Sequence, residues 1–282
     1  MSSLALFNQT LVNQRTQDYL SQVLGEKKAS FVNNITALVS NNTALQECEP
    51  ITVLYSGIKA TALDLPLDQN LGFAYVIPYR DNKANKTVAQ FQIGYKGFIQ
   101  LAMRSGQFRT INVRDVRDGE IVGEDFVSGE LQFKKLETKR EDAQIIGYVA
   151  FFKLINGFEK MSYWGIEEIK SHGKKYSQTF SSSKDYVRNM SKWTTDFDAM
   201  ARKTVIKLLL SKYAPLSVEM QGAIVSDQAI LSEKGQQYID NEQDTEASKK
   251  VADIFEKAIE EVGVMDEEEA EFQKALIEEQ NA

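Results

Sequence analysis

The chain has 282 residues, of which 43% are hydrophobic and 26% charged, ordinary for one large globular domain or for a core domain with appendages. No apolar run approaches the ~18–20 residues of a membrane helix, and the first ten residues lack a basic segment followed by an apolar one, so neither a membrane span nor an export signal is expected. One cysteine, Cys48, and one histidine, His172, exclude an intrachain disulfide and most transition-metal sites, and a reducing cytoplasm is the expected compartment.

Cys48 lies between Glu47 and Glu49. Neighbouring carboxylates raise a thiol pKa, so Cys48 reads as structural rather than nucleophilic. His172 sits in a basic, polar stretch and reads as a surface side chain, which leaves a Ser–His–Asp hydrolase without support. The net charge of −7 is unevenly spread. From Ser226 onward there are 17 acidic and 5 basic residues, a net of −12, so residues 1–225 carry +5. A mildly basic body thus precedes an acidic tail, read as mostly flexible. Val251 to Val262 has apolar residues at helical spacing. It is either one transient amphipathic helix in a solubilising tail or a docking element that competes with nucleic acid.

Residues 1–65 read as helical, with an amphipathic face at Phe31, Ile35, Leu38 and Val39 capped by Ser30, and a second helix opening at Pro50. Leu65-Pro66 ends that region. Phe73–Ile77 and Val88–Ile93 are β-rich and flank a polar turn, which predicts a hairpin whose tip carries Arg80, Lys83 and Lys86. Gly94 to Arg104 is helical with Gly106 as its C-terminal cap. Strands follow at 110–116, 119–126, 131–136, 145–154 and 158–164, with Asn156-Gly157 as a hairpin turn between the last two. A short helix at 166–172 and a Lys/Ser-rich loop at 173–184 lead to a long helix over 195–213, opened by a capping box at Thr195–Asp198 and closed by Pro215. The expected organisation is a helical region at 1–65, an α+β core at 66–225 and the acidic tail at 226–282.

No GxxxxGK(S/T) loop is present, so nothing supports ATP hydrolysis, and no GxGxxG follows a strand. Asp115, Asp118 and Glu120 are a conceivable magnesium nuclease cluster. Arg114 and Arg117 interleave with them on a strand and turn, and salt bridges explain the acids more simply. The other signal is cations mixed with aromatics. Tyr95, Lys96, Phe98, Arg104, Phe108, Arg109, Arg114 and Arg117 form one group, and Arg188, Lys192, Trp193, Arg202, Lys203 and Lys207 a second. Single-strand binders join cations that follow phosphates to ring faces that stack on bases. The competing reading makes the rings core and the cations solvated.

Leu71–Tyr79 (LGFAYVIPY), Phe91–Gln107 (FQIGYKGFIQLAMRSGQ), Asn112–Glu120 (NVRDVRDGE), Ile155–Lys160 (INGFEK), Tyr163-Trp164 and Asp198–Val205 (DAMARKTV) together resemble the RecT family of phage single-strand annealing proteins. The likeness spans about residues 50–225. It implies an α+β fold, a bent antiparallel sheet with packed helices, similar in outline to Red-beta and Rad52-type annealing cores. It also implies a homo-oligomeric ring or filament, with oligomer contacts in the helical region at 1–65, that binds single-stranded DNA in a basic groove and anneals it without ATP. No cofactor is implied beyond magnesium as a modulator. The implied partners are single-stranded DNA, the annealed duplex, a phage 5′–3′ exonuclease and a host ssDNA-binding protein. The phosphate contacts expected on this basis are Lys96, Arg104, Arg109, Arg114, Arg117, Lys192, Arg202, Lys203 and Lys207, with Tyr95 beside them and Arg80, Lys83 and Lys86 at the hairpin tip. A DNA-protecting protein without annealing activity, a magnesium nuclease and a phage structural protein are the alternatives.

Overall fold

The computed structural model describes residues 3–68, 70–81, 85–232 and 235–237. Lys83 and the segment 251–262 lie outside them. Five helices come first: α1 (Ser3–Val12), α2 (Gln14–Leu24), α3 (Lys28–Ser40), the short α4 (Thr43–Gln46) and α5 (Pro50–Ala62). Asn13 and Asn42 cap α2 and α4 with their side-chain oxygens. The expected cap at Ser30 is corrected: α3 continues from a 3₁₀ turn at Gly25–Lys27, so its start precedes Ser30. Phe7, Leu20, Phe31, Ile35, Val39, Leu45, Val53 and Leu54 are buried together as the core of this helical region.

The hairpin forms where the alternation placed it, as β1 (Ala74–Asp81) and β2 (Lys86–Ile93) in antiparallel register from Ala74↔Ile93 to Asp81↔Lys86. Val76 and Ala89 face the helical core, while Ala74, Phe91 and Ile93 belong to the main one. Among the described residues, no further long strand meets the outer edge of β2. Its N–H groups are taken up one by one: Ala89 donates to Thr52 Oγ1 (2.8 Å), Phe91 to the Ala229 carbonyl (3.0 Å) and Ile93 to Asp227 Oδ1 (2.8 Å). Pro78 pairs with Ala89 in the register. Since Ala89 points its N–H away from β1, Pro78 occupies a position that also faces off the ribbon, where a missing N–H leaves the ladder intact.

α6 (Tyr95–Arg104) starts at Gly94 and ends before Gly106, whose φ of +68° fits the expected glycine cap. Gly94 and Gly97 face the backbone of residues 72–73. A Cβ built on Gly97 would lie 2.2 Å from the Phe73 carbonyl oxygen, so only glycine lets the helix sit there. A three-stranded antiparallel sheet follows in the order β3 (Phe108–Arg117), β6 (Ile145–Leu154), β7 (Glu159–Gly165), with a separate ribbon of β4 (Ile121–Glu124) and β5 (Leu131–Phe133). Asn156-Gly157 makes the β6–β7 turn, with Gly157 at φ +92°.

α7 (Ile166–Tyr176) runs past the expected His172, so the first residues of the presumed loop are helical. Phe180, inside that loop, stacks on the buried Trp193 with ring centroids 5.8 Å apart. After α8 (Asp185–Met190), the long helix is divided. Ser191 caps the short α9 (Lys192–Thr195), and α10 (Phe197–Tyr213) begins separately. The capping box at Thr195 is therefore corrected; Asp198 instead bonds Arg202 one turn on. α10 packs across α6 and one face of β3, β6 and β7. Tyr148, Ala150, Phe152, Val205, Ile206, Leu209 and Leu210 fill the contact.

α11 (Val218–Ser226) and the short β8 (Ile230–Ser232) and β9 (Gly235–Gln237) complete the described chain. Residues 226–231 were expected in the acidic tail, but Ser226, Asp227, Ala229, Ile230 and Leu231 are buried. The compact unit that contains them runs to Asp240. Gly97→Ala is expected to destabilise the fold by about 2 kcal/mol or more through overpacking. A urea-unfolding midpoint that did not move would contradict the close approach of α6 to residues 72–73.

Candidate nucleic-acid interface

The charged residues around the end of β3 form one connected network. Asp115 Oδ2 accepts from Arg117 Nε (2.7 Å) and Arg140 Nη1 (2.9 Å), and Asp115 Oδ1 from Arg202 Nη2 (3.2 Å). Glu120 accepts from Arg140 Nε (2.6 Å) and from the Arg117 backbone N–H (2.7 Å), with Arg114 Nη2 at 3.9 Å. Arg202 also bonds Asp198 through Nε (2.8 Å). Burial alone would raise the Asp115 carboxyl, but the Arg117 and Arg140 guanidiniums outweigh it and hold the group below the carboxylate range. Glu120 is depressed in the same way, against burial, by Arg140 and the Arg117 backbone. Asp115 and Glu120 thus serve salt bridges, as their sequence setting implied, while Asp118 stands in the turn before Gly119, whose φ is +81°. Arg140 was missed because it joins the network from beyond the β4–β5 ribbon, 20 residues after Glu120.

This network braces a groove of about 790 Å³ between the outer face of the sheet and the β4–β5 ribbon. Thr110, Asn112 and Arg114 of β3, Val149 and Phe151 of β6 and Met161 of β7 line its floor, and Leu131, Phe133, Lys134 and Lys135 its wall. The side chain of Arg114 is half exposed. Lys134 and Lys135 are exposed and have no ion-pair partner among the described residues. Neither lysine was singled out in the sequence, since they sit in a stretch with no aromatic alternation.

On the far side of Asp115 the network reaches Arg202 and Asp198, and then the tyrosines. Tyr148 bonds Asp198, and burial, with that carboxylate next, pushes its hydroxyl pKa up. Tyr95 lies close enough to interact electrostatically with Arg202 and Tyr75. Lys96 follows, exposed, with its ammonium near Gly72. Lys192 is exposed as well, and its carbonyl accepts from Asp196, a residue in electrostatic reach of Tyr75. Arg114 thus belongs to the groove side of the network, whereas Tyr95 lies on its Arg202 side, and Lys96 and Lys192 are exposed cations outside the groove lining. Arg109 is exposed without a side-chain partner among the described residues, at a bulge near the start of β3.

Other expected contacts already have partners within the chain; the burial of Lys203 corrects its reading as a groove residue, while Arg104, Arg80 and Lys86 are paired but exposed. Lys203 is buried, with its Nζ 2.9 Å from Asp227 Oδ1, and Lys207 Nζ lies 2.7 Å from Asp227 Oδ2. Asp227 is fully buried. Burial would raise its carboxyl, but Lys203 and Lys207 hold it below the ordinary range. Arg104 donates to the Leu63 (2.7 Å) and Asp64 (2.6 Å) carbonyls and so closes the end of α5. Arg117 is held by Asp115 and the Ala143 carbonyl. Arg202 is held between Asp115 and Asp198. At the hairpin, Arg80 bonds Asn85 and Lys86 approaches Glu49 at 3.5 Å. Cys48 is buried, its thiol pushed up to about 12 by burial and then by Glu47, as its acidic neighbours implied.

Fold and surface together define a mixed helix-and-sheet protein with antiparallel sheets and an arginine-centred charged network beside a groove. The RecT family model matches residues 29–251, which take in β1 to β9 and α5 to α11. The chain is 41% identical over 206 residues to the uncharacterized protein YqaK of Bacillus subtilis (strain 168), covering 73% of this chain and 66% of that protein. It is 32% identical over 190 residues to protein RecT of Escherichia coli (strain K12), covering 66% and 65%. The chain belongs to the RecT family, and it spans just under two thirds of the length of these relatives.

Because Asp227, Asp115 and Glu120 are depressed in the fold, each adds stability that is present above an unfolded carboxylate pKa of about 4 and is lost as pH falls through the lower folded values. The thermal midpoint is expected to drop on acidification below about pH 4. Replacing Lys203 by Met leaves Asp227 with one ammonium fewer and is expected to cost about 3 kcal/mol near neutral pH. Full stability in that variant would place Lys203 outside the core.

Proposed function

We propose that this protein anneals complementary single-stranded DNA without ATP, as part of homologous recombination. The family match over residues 29–251 carries the reading, because it covers the groove, the charged network and the core that braces them. The charge distribution supports it: Arg114, Lys134 and Lys135 along the groove, and Lys96 and Lys192 outside it, offer exposed cations to a sugar–phosphate chain. Phe151, Met161 and Phe133 give the groove an apolar surface for base faces, and Tyr95 a ring further along. Contacts of this kind do not read sequence; pairing between strands does.

In this reading the protein works as a homo-oligomer, a ring or helical filament that holds the first strand while a second samples register. It operates in the cytoplasm of a phage-infected or prophage-carrying cell. A 5′–3′ exonuclease supplies the single strands, and a host ssDNA-binding protein shares them. Magnesium tunes the affinity and no nucleotide is consumed.

Purified protein is expected to speed the hybridisation of two matched oligonucleotides in the absence of nucleotide. Protection of single strands from nuclease without faster pairing would replace annealing by simple coating. Log K for single-stranded DNA should fall with log salt by ~0.7 per phosphate neutralised. Replacing Arg114, Lys134 and Lys135 together by Ala should lower that slope by about 2, and replacing Lys96 and Lys192 by about 1.4. Slopes equal to wild type in both variants would move the DNA away from these cations.

A further inference from the structure

The ribbon that walls the groove ends in an exposed apolar pair. Phe126 is 99% exposed and Val127 93%. Their loop is tied down by Asp125, whose Oδ1 accepts from the Val127 (3.1 Å) and Ser128 (2.7 Å) N–H groups while its carbonyl accepts from Gly129 (2.8 Å). The loop therefore presents its two apolar side chains in a defined place. It is also acidic. From Ile121 to Phe133 the chain has Glu124, Asp125 and Glu130, the last of which also lines the groove, and neither lysine nor arginine. Such a knob repels phosphate, which argues for a protein surface as its receptor.

A receptor of the right character lies in the helical region of the same chain. Between α1, α2 and α5 is a groove of about 700 Å³, room enough for a phenyl ring and an isopropyl group. Leu6, Leu54 and Ile58 line it, and Tyr19 and Tyr55, with rings 5.7 Å apart, form one wall. Leu6 and Tyr19 remain substantially exposed. Among the described residues that line it, Arg15 is the one ionisable side chain besides the tyrosines, and it has no carboxylate partner among the described residues. The knob is almost wholly exposed, so it does not fill the groove of its own chain.

We infer that Phe126 and Val127 of one copy seat in the α1–α2–α5 groove of a second copy, with Arg15 facing Glu124, Asp125 and Glu130. This deepens the self-assembling part of the proposed function and rests on it. Knob and groove are different surfaces, so the contact is heterologous. It leaves one knob and one groove open on every pair and propagates to a closed ring or an open helix.

The oligomer distribution of the full chain, measured by analytical ultracentrifugation with and without a single-stranded oligonucleotide, tests the inference. Wild type is expected to form species larger than dimers in at least one condition. Phe126→Asp should weaken association about thirtyfold or more, as truncating a buried interface aromatic does. Leu6→Arg, on the groove side, should do the same. Mixed together, the two variants keep one intact knob and one intact groove, and should form a pair that grows no further. Arg15→Glu should weaken assembly, and adding Glu124→Lys with Glu130→Lys should restore it.

A wild type that stays monomeric in both conditions, a Phe126→Asp variant that assembles like wild type, or a mixture without pairs would each overturn the inference. Assembly through this contact in a protein that fails to anneal would instead overturn the functional reading and leave the contact standing.

Discussion

A strand buried along its outer edge needs an acceptor for every N–H group that points away from its partner, because an unpaired donor there costs as much as a lost hydrogen bond. In this fold the strand is β2, and three different parts of the chain supply the acceptors: a threonine of α5, the backbone at Ala229 and the carboxylate of Asp227. The last is the most demanding, since a buried carboxylate is tolerated only with its charge balanced. Lys203 and Lys207, one turn apart on α10, provide that balance. One carboxylate thus fixes the distance between the ribbon, the long helix and the end of α11. The three-stranded sheet is held against the other side of that same helix.

Seen this way, the arginines divide by role. Arg104 closes α5, while Arg117, Arg140 and Arg202 hold the turn after β3 to α10. They keep the groove wall and the sheet in fixed relation rather than reaching for a ligand. What stays exposed beside them is mainly lysine, with Arg114 in the groove. A flexible ammonium suits a backbone whose bases must remain free, because it imposes no planar bidentate geometry.

Much of the fold was legible in local pattern. The β6–β7 hairpin, the Pro50 helix start and the Gly106 cap rest on neighbours in sequence, and each formed where its residues placed it. The site was less so, because a cation's partner is a tertiary fact. Lys203 and Lys207 stand at ordinary helical spacing. Yet Ala201, Val205, Ile206, Leu209 and Leu210 cover so much of the α10 surface that the helix is buried nearly all round, and its lysines must find acids inside. The acid lay beyond the expected domain boundary, where it had been counted as part of a solvated tail. Arg140 and the groove lysines were hidden for a related reason, since the ribbon separates them from the residues they join.

The position of Asp227 also bears on where this domain stops. The balance of charge turns negative at Ser226, and a boundary drawn from composition would cut there. Such a cut removes Asp227, Ala229, Ile230 and Leu231 and leaves the N–H groups of Phe91 and Ile93 bare on an apolar strand. A bare edge of that kind recruits strands from neighbouring molecules, and a fragment trimmed for solubility would be prone to sheet-to-sheet aggregation.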